Sequence, residues 1–328
     1  MVTHTSPAQT GLGILGGASN IRNWRRHRRC CPLAGRHSCA CTASGDQNVT
    51  HTDQDKAAAV RHYLETGEYE MLFPAWTGAS IVDRLSRGCR DLQEALVIDV
   101  QRRARSGDMP RAAQEIDLVE FTRKKAEPMV CGLFPKSEHD IALSLLERSV
   151  IFLTPNTIKS IIMGSNWLST AWTVANMYLM SLNAEPLSQD APMIVGLSEE
   201  TTCFVSLAYF DEEEPFADFV VHEMAHVFHN CKRRTAGLKQ TRTREWFLNI
   251  DYRKRETFAY ACEAYSRILE QAATPSYRRA LAKKFDGFKR ASEDCIDSDE
   301  VAELVREACA RRNGWKSILS NCAPKPRT

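Results

Sequence analysis

The stretch that decides the fold is Val221-His222-Glu223-Met224-Ala225-His226-Val227-Phe228, in which two histidines stand four residues apart and a glutamate follows the first. On an α-helix, positions i and i+4 lie on one face about one turn apart, so both imidazoles can be offered to one metal ion. Glu223 lies beside that pair, where a carboxylate can take a proton from a metal-bound water and hand it to a leaving amine. Spacing and chemistry together predict a catalytic zinc site on a helix.

The residues that flank the two histidines are uncharged, which is typical of a helix buried beneath an active site. Upstream, the acidic run 211–214 followed by Pro215 favours a helix start, and the basic run 232–234 with Gly237 favours a stop. The sequence therefore predicts a helix over roughly 215–234. Its apolar side is expected to pack on the core, while His222, His226 and His229 share the side that faces a cleft.

A catalytic zinc ion takes three protein ligands and leaves one position open for water, so a third ligand is expected. His229 shares the face of the pair, but seven residues of helix place it about 10 Å from His222 along the axis. The better candidate lies in a second helix, predicted over 254–269, whose first turn carries Glu256. Glu263, further along the same polar stripe, and Asp251 are rival ligands. The alternative for Glu263 is an ion pair with Arg267 on the surface.

The segments His222-Glu223-x-x-His226 and Glu256-x-Phe258-Ala259 resemble the HExxH zinc metallopeptidases of the zincin type, in the gluzincin-like branch whose third ligand is a glutamate on a following helix. The resemblance covers roughly residues 190–270. It implies that His222, His226 and Glu256 bind one catalytic Zn²⁺ and that Glu223 is the general base. It also implies an α+β fold with a small sheet, an active-site helix and a strand beside the zinc that pairs with an extended substrate.

The rest of the chain fits the same α+β class. Segments 193–197 and 202–210 are predicted to be strands joined by a polar turn. Residues 54–135 are predicted to form a helical N-terminal lobe, with helices over 55–67 and 81–106, and residues 136–322 a zincin-like catalytic domain. Residues 167–182 are predicted to form a buried helix behind the site, and residues 277–319 two or three amphipathic helices.

Composition excludes some classes of function. The chain has 328 residues, 43% hydrophobic and 26% charged, which is typical of a soluble globular protein. Its net charge of +2 gives no reason to expect a nucleic-acid or membrane partner, and no run of 18 apolar residues occurs. The expected partner is a peptide or protein substrate.

Residues 1–53 differ from the rest, because Gly, Ser, Thr and Ala are frequent, apolar periodicity is absent and arginines cluster. This composition predicts a disordered basic segment, with a mitochondrial-type presequence, an over-extended start or a nucleic-acid-binding arm as alternatives. The adjacent Cys30-Cys31 and the one-residue gap of Cys39-x-Cys41 do not have the spacing of a zinc knuckle. The remaining cysteines are scattered singly, as in cytoplasmic proteins with reduced thiols, so a cytoplasmic location is expected.

The sequence thus predicts a zinc metallopeptidase that hydrolyses peptide bonds by a zinc-bound water activated by Glu223. Two alternatives stay open. One is a non-enzymatic interaction protein on a zincin scaffold, although a purely structural metal site has no need of Glu223. The other is a zinc hydrolase of a non-peptide amide or ester, which these residues do not distinguish from a peptidase.

Overall fold

A computed structural model of the chain describes residues 53–108, 110, 113, 116–242, 244–287 and 296–324. The predicted disordered segment lies outside these residues except for Asp53, and so do its cysteines. Helices make up most of the described chain: α1 (Asp53–Thr66), α2 (Ile81–Ala104), α3 (Leu118–Leu133), α4 (His139–Ser149), α5 (Ile158–Gly164), α6 (Leu168–Ser181), α7 (Phe219–Asn230), α8 (Arg255–Gln271), α9 (Pro275–Lys284), α10 (Ser298–Ala310) and α11 (Gly314–Cys322).

A small sheet completes the α+β architecture of the described residues. Its strands are β1 (Val150–Phe152), β2 (Gly196–Glu199) and β3 (Thr202–Val205), in the order β1-β3-β2. The central strand β3 runs parallel to β1 and antiparallel to β2. Strand β2 is therefore an edge strand, with β3 as its neighbour on one side only.

The predicted helices of the N-terminal region are confirmed, with small shifts of their ends. Helix α2 begins after Ser80, whose side chain accepts a hydrogen bond from the backbone N–H of Asp83. The predicted buried helix over 167–182 is α6, and most of its side chains are buried. No helix among the described residues combines the length and the apolar character needed to cross a bilayer.

The helix that carries the two histidines is shorter than the predicted span of 215–234. Helix α7 begins at Phe219, because the Asp218 side chain caps it by accepting from the backbone N–H of Val221 at 3.2 Å. The acidic run 211–214 and Pro215 lie before this start and outside the helix. At the other end the chain leaves the helix at Cys231, whose backbone is extended.

The basic run 232–234 follows the end of α7, as predicted for a helix stop, and Arg233 of this run has a further role in the structure. Its guanidinium is buried, donating from Nη2 to Glu138 Oε1 at 2.5 Å and from Nε to the Lys239 carbonyl at 2.9 Å. The chain then returns along α7, where the Leu248 N–H donates to the Phe228 carbonyl. Arg233 therefore anchors the loop that connects α7 to α8.

The predicted strands are confirmed in existence and shifted in extent. The first covers 196–199 rather than 193–197, and the second ends at Val205 rather than at 210. It ends there because Ser206 caps a 3₁₀ turn, Leu207–Asp211, by accepting from the backbone N–H of Ala208. The hairpin turn between the strands places Glu200 at a φ of 52°.

Two apolar cores hold the elements together. The first lies between α3, α4, α7, α8 and the C-terminal helices, and it also takes one side of β1 and β3. The second lies between α1, α2, α5 and α6. The two cores do not correspond to two consecutive parts of the chain. Helix α3 packs in the first core, although α2 before it and α5 after it pack in the second. The division into a lobe over 54–135 and a catalytic domain over 136–322 stays a prediction.

Alanine substitutions at two glycines would test how tightly these cores are packed. A Cβ on Gly132 of α3 would overlap the indole of Trp315, whereas a Cβ on Gly164 of α5 would meet nothing within 4 Å. We expect Gly132→Ala to destabilise the protein by about 1–3 kcal/mol, as overpacking does. The matched Gly164→Ala change is expected to be neutral or to stabilise by up to about 1 kcal/mol, since alanine favours a helix. Urea denaturation of both variants measures this, and equal stabilities would contradict the tight contact at Trp315.

Candidate metal centre

Helix α7 brings the two motif histidines together on one face. His222 is buried, and its Nε2 lies 3.1 Å from Nε2 of His226. This follows from the four-residue spacing, which stacks the two side chains one turn apart. Two ligand atoms bound to one tetrahedral zinc ion at its usual bond lengths would be about 3.3 Å apart. The imidazole pair therefore has a separation that suits one ion.

Glu256 in the first turn of α8 lies beside this pair. Its Oε2 is 3.7 Å from Nε2 of His222 and 3.6 Å from Nε2 of His226. The ligand atoms of the three residues lie within 4.8 Å of one another. The structure thus places all three predicted ligands around one point, with two imidazoles and a carboxylate as a donor set suited to Zn²⁺.

Glu263, the rival ligand, lies on the other nitrogen of His222. Nδ1–H of His222 donates to Oε2 of Glu263 at 3.0 Å, and Oε1 of Glu263 accepts from the backbone N–H of Asp218 at 3.0 Å. Glu263 is fully buried, so it is not the surface residue of the alternative interpretation, and Arg267 pairs with Glu270 instead. A carboxylate on Nδ1 fixes the tautomer of His222 and leaves its Nε2 lone pair for a metal ion.

His229 lies at Nδ1 of His226, as Glu263 lies at Nδ1 of His222. Its Nε2 lies 3.5 Å from Nδ1 of His226, away from the group of three ligand atoms. Burial lowers the pKa of His229 to about 2. A neutral His229 can accept from Nδ1–H of His226, which again leaves Nε2 of His226 free of a proton.

Glu223 lies against the edge strand β2. Its Oε2 accepts a hydrogen bond from Oγ of Ser198 at 2.5 Å, and the carboxyl group packs on Gly196, where a Cβ would lie 2.5 Å from Oε1. Glu223 is buried. Neither strand residue was predicted from the sequence to belong to the site. Their signal was weak, since it consists only of two small residues at alternate positions of the strand before the motif.

Two further residues near the site, Asp251 and Tyr260, have structural contacts. The Asp251 side chain accepts from the backbone N–H of Arg253 and caps the 3₁₀ turn before α8. Tyr260 of α8 is buried and packs edge to face on His222 with ring centroids 4.5 Å apart. Neither belongs to the group of ligand atoms.

A buried ionic network supports the start of α7. Lys125 of α3 donates from Nζ to Oδ2 of Asp218 at 2.7 Å and to Oε1 of Glu270 at 2.5 Å. Oδ1 of Asp218 caps α7 and also accepts from the hydroxyl of Tyr209. Burial raises the pKa of Asp218, and Lys125 opposes that rise. Because the Asp218 N–H holds Glu263, the network reaches from Lys125 to His222.

Comparisons with protein-family models, with curated proteins and with solved structures found no match to this chain. The resemblance to gluzincins accordingly depends on two short segments, His222 to His226 and Glu256 to Ala259. What the structure adds to these segments is the position of their side chains.

Proposed function

We propose that this protein is a zinc-dependent metallopeptidase with a zincin-like catalytic domain. His222, His226 and Glu256 are the proposed ligands of one Zn²⁺, and Glu223 is the proposed general base. The observation that carries the proposal is the convergence of Nε2 of both histidines and Oε2 of Glu256 within 4.8 Å, from two different helices. The Glu263 carboxylate on His222 supports it, since metal-binding histidines are held in this way.

The proposed mechanism assigns a task to each residue of the site. A Zn²⁺ ion held by His222, His226 and Glu256 would supply Lewis acidity to a scissile carbonyl and to a water molecule. Glu223 would take a proton from the attacking water and deliver it to the leaving amine, so that one carboxylate serves as base and then as acid. His222 and His226 would bind the ion through Nε2, because Glu263 and His229 lie at their Nδ1 atoms.

The substrate proposed for this site is a peptide or protein segment in extended form. Strand β2 is an edge of the described sheet and packs on α7 beside Glu223. An extended substrate can add to such an edge through backbone hydrogen bonds, which bind it without strict selection of side chains. A cytoplasmic location remains part of the proposal, and the described cysteines, which are free thiols, are consistent with it.

Zinc content tests the metal site directly. We expect about one zinc per chain in the purified wild-type protein, measured by elemental analysis. His222→Ala and Glu256→Ala are expected to weaken zinc binding by more than about 100-fold, because the loss of a supporting partner alone costs 10- to 100-fold. Competition with a chromophoric chelator measures these affinities.

Matched controls separate loss of a ligand from loss of fold. His62→Ala and Glu303→Ala remove the same groups from exposed positions and should bind zinc like the wild type. Circular dichroism establishes that each variant is folded. A folded wild-type protein that binds no zinc would contradict the proposal and favour a non-enzymatic interaction protein.

A further inference from the structure

Strand β2 contacts the motif helix through side chains that alternate along the strand. Residues two apart in a strand point to the same face, so Gly196 and Ser198 face the same side of the sheet. Both meet Glu223, one by leaving room for the carboxyl group and the other by donating a hydrogen bond to it. The strand therefore touches the proposed general base at two consecutive inward positions.

The hydroxyl of Ser198 lies near two oxygens of Glu223, one in the carboxylate and one in the backbone carbonyl. Oγ lies 2.5 Å from Oε2 of Glu223 and 3.4 Å from the backbone carbonyl of the same residue. Because 3.4 Å is longer than an ordinary O–H···O hydrogen bond, the carboxylate oxygen is the principal acceptor. The backbone carbonyl has another donor in Sγ of Cys203 at 3.2 Å. The Ser198 proton is thus directed to the carboxylate.

We infer that Ser198 is a positioning residue for Glu223 and that Gly196 provides the space in which the carboxylate is held. The inference rests on the proposed function, because it concerns the orientation of the proposed base. A glutamate side chain has three rotatable bonds, and a general base must hold its oxygen within hydrogen-bond reach of the proton it takes. The bond from Ser198 fixes one carboxylate oxygen and so restricts the rotation of the other.

An alanine at position 196 would overlap the Glu223 side chain and displace its carboxyl group. Its Cβ would lie 2.5 Å from Oε1 and 2.7 Å from Cγ of Glu223, so the side chain would have to move. The backbone of Gly196 does not have a positive φ, since the described glycines with positive φ are Gly67, Gly237 and Gly287. The requirement for glycine here arises from close approach to Glu223 rather than from backbone conformation.

The test uses a readout that does not depend on turnover. Acetohydroxamate is a metal chelator whose hydroxyl proton requires an acceptor beside the ion, and Glu223 is that acceptor in the proposed site. Its affinity for the cobalt(II)-loaded full-length protein is measured from the change in visible absorption. We expect Glu223→Gln to weaken binding by about 10- to 100-fold, as the loss of a charged acceptor does. Ser198→Ala should weaken it about 2- to 12-fold, the cost of ordering a mobile side chain.

Two variants decide whether Ser198 acts through its hydroxyl. Ser198→Thr retains the donor and is expected to bind acetohydroxamate within about twofold of the wild type. Thr202→Ala removes a hydroxyl from the neighbouring strand and should leave the affinity unchanged. Wild-type affinity in Ser198→Ala, or equal weakening in Ser198→Ala and Ser198→Thr, would overturn the inference.

Gly196→Ala provides an independent check, because it displaces the carboxylate while Ser198 stays in place. It is expected to retain the metal and to weaken acetohydroxamate binding at least as much as Ser198→Ala, and a wild-type affinity would also overturn the inference. Metal content separates this failure from failure of the proposed function. A wild-type chain that binds neither zinc nor cobalt overturns both, whereas a metal-loaded chain with an unaffected Ser198→Ala variant overturns the inference alone.

Discussion

A Glu223→Gln variant is expected to keep its zinc and to lose peptide hydrolysis by at least about 10²- to 10⁴-fold, the range over which a general acid–base group accelerates a reaction. Glutamine has the shape of glutamate, and its amide oxygen can still accept from Ser198. It has no basic oxygen to take the proton of the attacking water. The metal ligands are unchanged, so kcat should decrease while the affinity for zinc stays the same.

The measurement requires a substrate pool broad enough for an enzyme of unspecified preference. A peptide library derived from a cell proteome, with new termini identified by mass spectrometry, provides one, and kcat/KM is then measured on the best peptide. Glu213→Gln is the matched control, because Glu213 is an exposed acidic residue shortly before α7. It should hydrolyse peptides at the wild-type rate.

The outcomes of this experiment separate the classes of function. A zinc-loaded Glu223→Gln variant with the wild-type rate would contradict the assigned mechanism. A zinc-loaded wild-type protein that cleaves no peptide but hydrolyses small esters or amides in a Glu223-dependent manner would identify a non-peptide hydrolase. A zinc-loaded protein inactive on both would favour the non-enzymatic interaction protein, in which Glu223 has no task.

The parts of the site that could be predicted are those that depend on local geometry. The separation of His222 from His226 is set by helix periodicity alone, so the pair was identifiable without knowledge of the fold. The position of Glu256 depends on how α8 packs against α7, across a loop of more than twenty residues. Its place in the first turn of the predicted helix and the resemblance to gluzincins favoured Glu256, while Glu263 and Asp251 stayed as alternatives.

Burial was harder to predict than secondary structure. Glu263 and Arg267 occupy one polar stripe of α8, and such a stripe is typical of a solvated face. In the structure Glu263 is fully buried on His222, while Arg267 pairs with Glu270. The difference arises from Asp218, whose N–H satisfies the second oxygen of Glu263 from 45 residues away. A single sequence contains no sign of that contact.

The same limit applies to the burial of Arg233, which no local pattern indicates. A run of three basic residues after a helix usually lies in solvent and interacts with the helix carboxyl end. Arg233 is instead buried, because its partner Glu138 lies 95 residues earlier in the chain. The end of α7 itself was predicted only to within a few residues, since the helix ends at Asn230 before the basic run begins.

Lys125 received no attention in the sequence, yet its removal is expected to have the largest effect on stability. Its Nζ lies between Asp218 and Glu270, and Asp218 is fully buried. Lys125→Met keeps much of the shape of the side chain but leaves a buried carboxylate without its cation. Breaking a buried ion pair on one side typically costs about 3–5 kcal/mol, and we expect a loss of that size in urea denaturation at saturating zinc.

The pH dependence of this loss has a definite sign. Burial already raises the pKa of Asp218, and Lys125 is the main group that opposes the rise. Without Lys125 the pKa of folded Asp218 rises further above that of the unfolded chain. A carboxyl group with a raised pKa in the folded state destabilises the fold once it is ionised, and protonation relieves this. The stability difference between wild type and Lys125→Met should therefore be larger at pH 8 than at pH 5.

A double-mutant cycle isolates the pair from the general effect of a core substitution. Asp218→Asn removes the charge and retains a side-chain oxygen to cap α7, so Lys125→Met combined with Asp218→Asn should lose clearly less than the two single changes together. Lys124→Met is the matched control, because Lys124 is the exposed neighbour on α3, and it should change stability by no more than about 0.5 kcal/mol. Additive losses in the cycle, or equal stability of Lys124→Met and Lys125→Met, would contradict a buried ion pair at the start of the motif helix.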